Sequence, residues 1–157
     1  MTTNTTTLPT FWKTVLALLL AALLAACSSD PKPPPLLTFN VRANVQTNNG
    51  DLFYFVVRNV NEKQFMLDSY QDIADKAFAS PADPAVLGVF SIVPGTKQEC
   101  AVNQPAQGSV GLYFLYTRPG SQWKKLLSMP FDLKYTVNLK SDNQIEILET
   151  RPWYSWF

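Results

Sequence analysis

The sequence predicts an all-β domain: a two-sheet β-sandwich of seven or eight short strands with one short helical insert, set behind an N-terminal export segment. Three observations lead there. Apolar and alternating stretches recur at a spacing of about 8–12 residues between turn residues, which is the pattern of a sandwich. One stretch, 61–78, changes to apolar spacings of three and four, the period of a helix. Before residue 37 the composition is different again: an apolar run, a cysteine and a row of prolines.

The elements follow in order. Leu37, Phe39, Val41, Ala43 and Val45 alternate with Thr38, Asn40, Arg42 and Asn44, which predicts a half-buried strand. Gln46 to Asp51 reads as a turn, with Asn49-Gly50 as its hairpin signal. Leu52 to Val60, LFYFVVRNV, is near-continuously apolar and predicts a central strand covered on both faces. From Asn61 to Phe78 the spacing predicts one helix or two short ones. Asn61 is the expected cap, Phe65, Met66, Tyr70 and Ile73 lie on or beside the apolar stripe, and Asp68, Asp72 and Asp75 share a solvated face. Ser80 to Pro84 ends the insert, because proline excludes helix at and just before itself. Strands resume at Val86–Val93, then Pro94-Gly95 turns the chain into a return strand, Thr96–Val102. Ser109–Thr117, Gln122–Met129, Phe131–Leu139 and Gln144–Glu149 complete the set, with Phe131, Leu133, Tyr135, Val137 and Leu139 expected to face inward.

The leading segment sets the compartment. Val15 to Ala26 is apolar but shorter than the roughly 20 residues that span a bilayer as a helix. It matches the apolar region of a secretory signal. Leu24-Ala25-Ala26-Cys27 resembles the lipobox of bacterial lipoproteins. That resemblance implies lipidation of Cys27 and cleavage before it. Ser28, where such lipoproteins carry an inner-membrane retention aspartate, implies sorting to the outer membrane, on its periplasmic face. The other reading of Cys27 is an ordinary thiol behind an uncleaved helix. Ser28 to Pro35, SSDPKPPP, predicts an extended tether. The expected organisation is a signal peptide over 1–26, an acylated cysteine and tether over 27–36, and the sandwich over 37–157.

Composition narrows the chemistry. Without the signal peptide the chain has 131 residues, with 12 Lys+Arg against 12 Asp+Glu. That is one domain with a real core and no basic excess for nucleic acid. There is no histidine, which removes Ser-His-Asp and Cys-His pairs and the usual zinc ligands. The carboxylates are scattered over turns and polar faces. No catalytic residue, metal or cofactor is expected, and the protein is not read as an enzyme. Cys100 reads either as a small buried hydrophobe on the 96–102 strand or as a thiol for an intermolecular disulfide. The aromatic tail, RPWYSWF at 151–157, reads either as a partner-facing patch or as a cover for the sandwich.

Taken together, these features resemble the type VI secretion outer-membrane lipoprotein family, TssJ. The resemblance rests on the lipobox and proline tether, two strands before the 61–78 helical insert, FSIVPGT at 90–96, GLYFLYTRPGSQWKK at 111–125, and a final YTVNL and QIEIL hairpin. It implies a transthyretin-like sandwich. It also implies a structural role in a multi-copy hetero-oligomeric membrane complex, binding the periplasmic domain of the large inner-membrane component, TssM. The family often uses an extended loop between its first two strands for that contact; here the loop is only Gln46 to Asp51. The expected partner-facing residues are Asn48, Asn49 and Gly50 in that loop, with Trp153, Tyr154 and Trp156 in the tail. Two other readings stand beside this one: a pilotin or assembly lipoprotein of another envelope machine, and a lipoprotein that binds cell-wall ligands.

Overall fold

The computed structural model describes residues 33–149. Eight strands form two four-stranded sheets: β1 Leu36–Ala43, β2 Phe53–Val60, β3 Val86–Ile92, β4 Lys97–Asn103, β5 Ser109–Leu115, β6 Lys124–Leu127, β7 Lys134–Leu139 and β8 Ile145–Glu149. The first sheet has the order β4-β1-β7-β8 and the second β3-β2-β5-β6. All neighbours are antiparallel except β1 and β7, which run parallel from Thr38↔Lys134 to Ala43↔Leu139. This is the two-sheet, transthyretin-like sandwich that the sequence leads one to expect.

The alternation of β1 delivers Leu37, Phe39, Val41 and Ala43 to the space between the sheets. Tyr135, Val137 and Leu139 of β7 join them, as do Cys100 and Val102 of β4. The second sheet contributes Phe53, Phe55, Val57, Leu112 and Phe114. Phe39 meets the ring of Phe55 edge-on at 5.6 Å and stacks on Tyr135 at 5.6 Å, while Phe55 stacks on Phe114 at 5.0 Å. Such ring pairs add about 0.5–1.5 kcal/mol each beyond the area they bury. Cys100 is a fully buried free thiol in this cluster, and burial pushes it up to about 11. Of its two readings, the buried hydrophobe is the one the fold takes.

The insert is two short helices, α1 Glu62–Leu67 and α2 Tyr70–Ala77. Asn61 caps α1 as expected: its Oδ1 accepts from the Gln64 backbone N–H at 2.8 Å, and Gln64 Oε1 accepts from the Asn61 N–H at 3.1 Å. Ser69 caps α2 by accepting from the Asp72 N–H at 3.2 Å. The two helices lie on the outer face of the second sheet. Ile73 is fully buried there against Val56, Tyr113 and Leu115, with Phe65, Tyr70, Ala74, Ala77 and Trp123 around it. This explains why β2 and β5 read as continuous apolar runs: one face meets the core and the other meets helices.

Several expectations change. The Asn49-Gly50 turn is not a hairpin. Its residues do take the left-handed backbone the signal calls for, with φ of 56° and 84°, but β1 and β2 belong to different sheets, so the turn carries the chain across the sandwich. Pro94-Gly95 likewise crosses between sheets: β3 pairs with β2, and β4 pairs with β1. Turn dihedrals specify the reversal, while strand pairing specifies the partner. Val45 and Leu133, which alternation assigns to the inner face, are 66% and 58% exposed, and Met66, beside the expected apolar stripe, is 76% exposed. Val45 lies beyond the end of β1, Leu133 precedes β7, and Met66 is on the outward side of α1. Asp68, placed on a solvated face, is 9% exposed and lies between the helices.

Candidate functional site

The strand directions bring four connections to one end of the sandwich. These are 44–52 after β1, 93–96 after β3, 116–123 after β5 and 140–144 after β7. The opposite end holds the start of β1 at Leu36, the end of β2 at Val60 and the end of β8 at Glu149.

Asn48 ties three of the four loops together. Its backbone N–H donates to Asn143 Oδ1 at 2.8 Å. Its Oδ1 accepts from the Thr117 N–H at 2.9 Å. Its Nδ2 donates to the carbonyls of Asp51 and Leu52, at 3.0 and 3.2 Å, and reaches Thr117 Oγ1 at 3.2 Å. Thr47, also buried, donates its hydroxyl to the carbonyls of Leu139 and Lys140 at 3.2 and 3.1 Å. The fourth loop is fixed by the Gly95 N–H, which donates to the Ala43 carbonyl at 2.9 Å. Gly95 has φ +79°, and a Cβ there would fall 2.8 Å from Val45 Cγ1. Glycine is therefore required by both backbone and space.

The predicted loop residues separate. Asn48 is 1% exposed and its amide is spent inside the fold, so it sets the loop's shape and offers no surface. Asn49 and Gly50 are exposed at the tip. Around them, Val45 is 66% exposed and Leu52 and Val93 are each 49% exposed. The end is thus a braced platform with exposed apolar residues around its tip. Cys27, Ser28, Trp153, Tyr154 and Trp156 lie outside the described residues.

A second feature escaped sequence reasoning. Arg58, in the middle of β2, is 6% exposed. Its Nη1 meets Asp68 Oδ2 at 3.1 Å and its Nη2 meets Asp83 Oδ2 at 3.5 Å. Asp68 also accepts from the Tyr113 hydroxyl and faces Lys76 Nζ at 3.6 Å. Burial, then the bond to Asp68, raises the Tyr113 phenol well above its ordinary range. Lys124 closes the group: its Nζ donates to the carbonyls of Phe65 and Asp68 at 2.7 and 2.8 Å, at the C-terminal end of α1. The same ammonium lies 4.9 Å from the Phe65 ring and 5.2 Å from that of Trp123. The signal was present in the sequence: a lone arginine inside LFYFVVRNV needs a buried counter-charge.

An open cleft of about 380 Å³ is lined by Asn59, Val60, Asn61, Gln64, Gln107 and Gly108. Its polar groups are amides, with no charged side chain to drive chemistry. Among the described residues no group of His, Cys, Asp and Glu is arranged to hold a metal ion. None of the described helices is long and apolar enough to cross a membrane.

Comparison with known proteins places this architecture. Three solved structures superpose on most of their own length. The type VI secretion lipoprotein TssJ1 of Pseudomonas aeruginosa is 17% identical, with 76% of this chain and 98% of that one covered at a TM-score of 0.60. Lip of Serratia marcescens, a membrane-bound component of the type VI secretion system, is 14% identical, with 76% and 99% covered and a TM-score of 0.58. A chain of a type VI membrane complex is 12% identical, with 73% and 98% covered and a TM-score of 0.57. A search of curated proteins found no match. The model for "IglE, N-terminal domain" matches residues 54–139, from the second residue of β2 to the last of β7. With that span covering more than half of its length, the chain belongs to the IglE N-terminal domain family, on a TssJ-like sandwich.

Proposed function

We propose that this protein is an outer-membrane lipoprotein of a type VI secretion membrane complex, held by a lipid on Cys27 and sorted by Ser28. Its loop end grips the periplasmic domain of a large, TssM-like inner-membrane component. The lipobox-like Leu24 to Cys27 and the proline tether support the anchor. The likeness to TssJ1 and Lip supports the machine.

Strand polarity is the observation that carries the reading. The chain enters the sandwich at Leu36, and four braced loops close the far end. Val45, Asn49, Gly50, Leu52 and Val93 are at the end of the sandwich opposite Leu36, and this is the surface offered to the partner. The contact is structural, so no catalytic residue is needed.

Two measurements test it. Residues 28–157, used as bait in envelope extract, are expected to recover a large inner-membrane protein. A variant carrying Val45→Asp and Val93→Asp is expected to lose it while melting at an unchanged temperature. Recovery of a secretin instead would replace the machine in this reading, and equal recovery by the variant would remove the loop end from it. Labelled palmitate fed to cells is expected to enter the full chain and not its Cys27→Ser variant. Label in both would end the lipid assignment.

A further inference from the structure

The four edges of the two sheets differ in how they are protected. β4 carries Lys97 and Glu99, β8 carries Glu146 and Glu149, and β6 is four residues long with Lys124 and Lys125. Charged side chains and short length keep an edge strand from pairing with another chain. β3, the remaining edge, reads VLGVFSI and carries no charge; the nearest charges along the chain are Asp83 and Lys97. β2 is its hydrogen-bonded neighbour on one side. On the other side no described strand pairs with it, because Pro94-Gly95 takes the chain into the other sheet. Its register with β2 is regular from Gly88 to Ile92, and a shift opposite Val57 and Arg58 leaves Leu87 unmatched.

This edge runs into the loop end. β3 finishes at Ile92, level with Phe53, so Leu52 and Val93 come next on the two strands. One step back, exposed Ser91 is level with Tyr54. The Tyr54 ring meets the exposed ring of Phe78, the residue after α2, edge-on at 4.9 Å. An uncharged strip thus continues from Leu52 and Val93 along β3, with an aromatic pair beside it.

We propose that β3 takes an extended segment of the inner-membrane partner as a fifth strand of the second sheet. This rests on the loop-end reading above and states how the grip continues beyond Val93. In strand addition the main chain supplies the bonds, and alternate side chains of the added segment find their own contacts on each face. Here one set would meet Phe90, which packs on the core between the sheets, and the other Val89 and the Tyr54–Phe78 pair. The segment is therefore apolar on both sides, with no charge and no proline over about five residues, the length of the regular register. A second copy of this chain fits less well, because two antiparallel β3 edges would point the loop ends of the two copies in opposite directions.

Hydrogen exchange read by mass spectrometry tests this. It uses residues 28–157, which hold every described strand, and as probe the inner-membrane protein that this bait recovers. In the complex, the amides of 88–92 are expected to exchange at least about tenfold more slowly, with the β4, β6 and β8 edges little changed. Ser91→Lys is expected to cut recovery of the partner roughly tenfold at an unchanged melting temperature, because Ser91 is exposed in the free domain. Phe78→Ser is expected to cut it roughly threefold. Glu146→Lys, on the β8 edge, is the control and is expected to recover the partner fully. Unchanged exchange over 88–92, or equal recovery by Ser91→Lys, overturns the proposal. With the partner still lost by the Val45→Asp, Val93→Asp variant, the loop-end reading then stands alone. Failure of the wild-type bait to recover any inner-membrane protein removes both. A doubling of the bait's own mass that Ser91→Lys abolishes would assign the edge to a second copy and also overturns the proposal.

Discussion

The two sheets share one core but differ on their outer faces. On the second sheet, β2 and β5 are apolar on both sides, and helices α1 and α2 cover the outer one. On the first sheet, β1, β7 and β8 alternate, and the outer face carries Thr38, Arg42, Lys134, Thr136 and Glu146 with no described helix over it. The difference shows in the strand sequences: FYFVVRNV and SVGLYFL call for two partners, LLTFNVRA and KYTVNL for one. The roofed face also needs a fastening that the bare face does not. Its helices are six and eight residues long, too short to be stable alone. Packing of Ile73 and Phe65 holds them, together with the Arg58–Asp68–Tyr113–Lys124 group.

The largest effect is therefore expected at Asp68. Asp68→Ala leaves the Arg58 guanidinium buried without its nearest counter-charge, and breaking such a pair costs about 3–5 kcal/mol. Urea unfolding followed by circular dichroism measures it. The double change Arg58→Met, Asp68→Leu is expected to recover most of the loss, because it removes both buried charges at once. A loss below about 1 kcal/mol for Asp68→Ala would mean that apolar packing alone holds the roof.

Why the fold was legible and this group was not has a physical reason. Period-two alternation and turn residues are local, and they indicate seven or eight strands and a helical insert capped by Asn61, each within a few residues of its place; the Ser69 cap of α2 is not among them. Cys100 followed from the same alternation. Sheet membership is not local: Asn49-Gly50 and Pro94-Gly95 have hairpin chemistry, yet each connects strands whose partners lie elsewhere in the chain, such as Phe39 with Cys100 and Tyr135, and Phe53 with Ile92. Asp68 looks like Asp72 and Asp75 when only helix spacing is counted. It is set apart by Arg58, ten residues earlier on a different element. Asn48 looks like Asn49 until the loops it joins, at 117 and 143, are brought beside it.

Lys124 sharpens the comparison at a smaller scale. Lys124→Met keeps the stem over Phe65 and Trp123 but removes the donor from the last carbonyls of α1. A loss of about 1 kcal/mol is expected, the worth of a charge-assisted cap at a helix C-terminus. Amide exchange should quicken in α1 while β1 and β7, on the other sheet, keep their protection. Uniform quickening across both sheets would show that the roof and the sandwich unfold as one unit.

The roof also responds to acid. The Ser69 hydroxyl donates to Asp72 Oδ2 at 2.6 Å, and this bond, more than the nearby Lys76 charge, holds the Asp72 carboxyl below its usual range. A depressed folded-state pKa stabilises the native form above the unfolded value, and that contribution fades as pH falls through the folded one. Acid should loosen the start of α2 first. Carbon-detected NMR titration is expected to show Asp72 protonating at lower pH than an unfolded aspartate, and Ser69→Ala to shift it upward. An unchanged titration in Ser69→Ala would assign the depression to another group.

The smallest effect is expected on the bare face, and it is the control on which the comparison depends. Thr136 is on the outer side of β7, between Asn40 of β1 and Leu148 of β8. Thr136→Ala removes a hydroxyl and a methyl from a half-exposed position, with no helix above it to lose. Exposed substitutions of this kind stay within about 0.5 kcal/mol. Loss of a β-branched side chain from a sheet position pushes the value toward the destabilising side of that range. A cost of 2 kcal/mol or more, of the order a buried site shows, would mean that this face is covered in solution by something beyond residues 33–149. The same substitution repeated in the full chain with its tail, and in a chain ending at residue 149, would then say whether that cover is the chain's own.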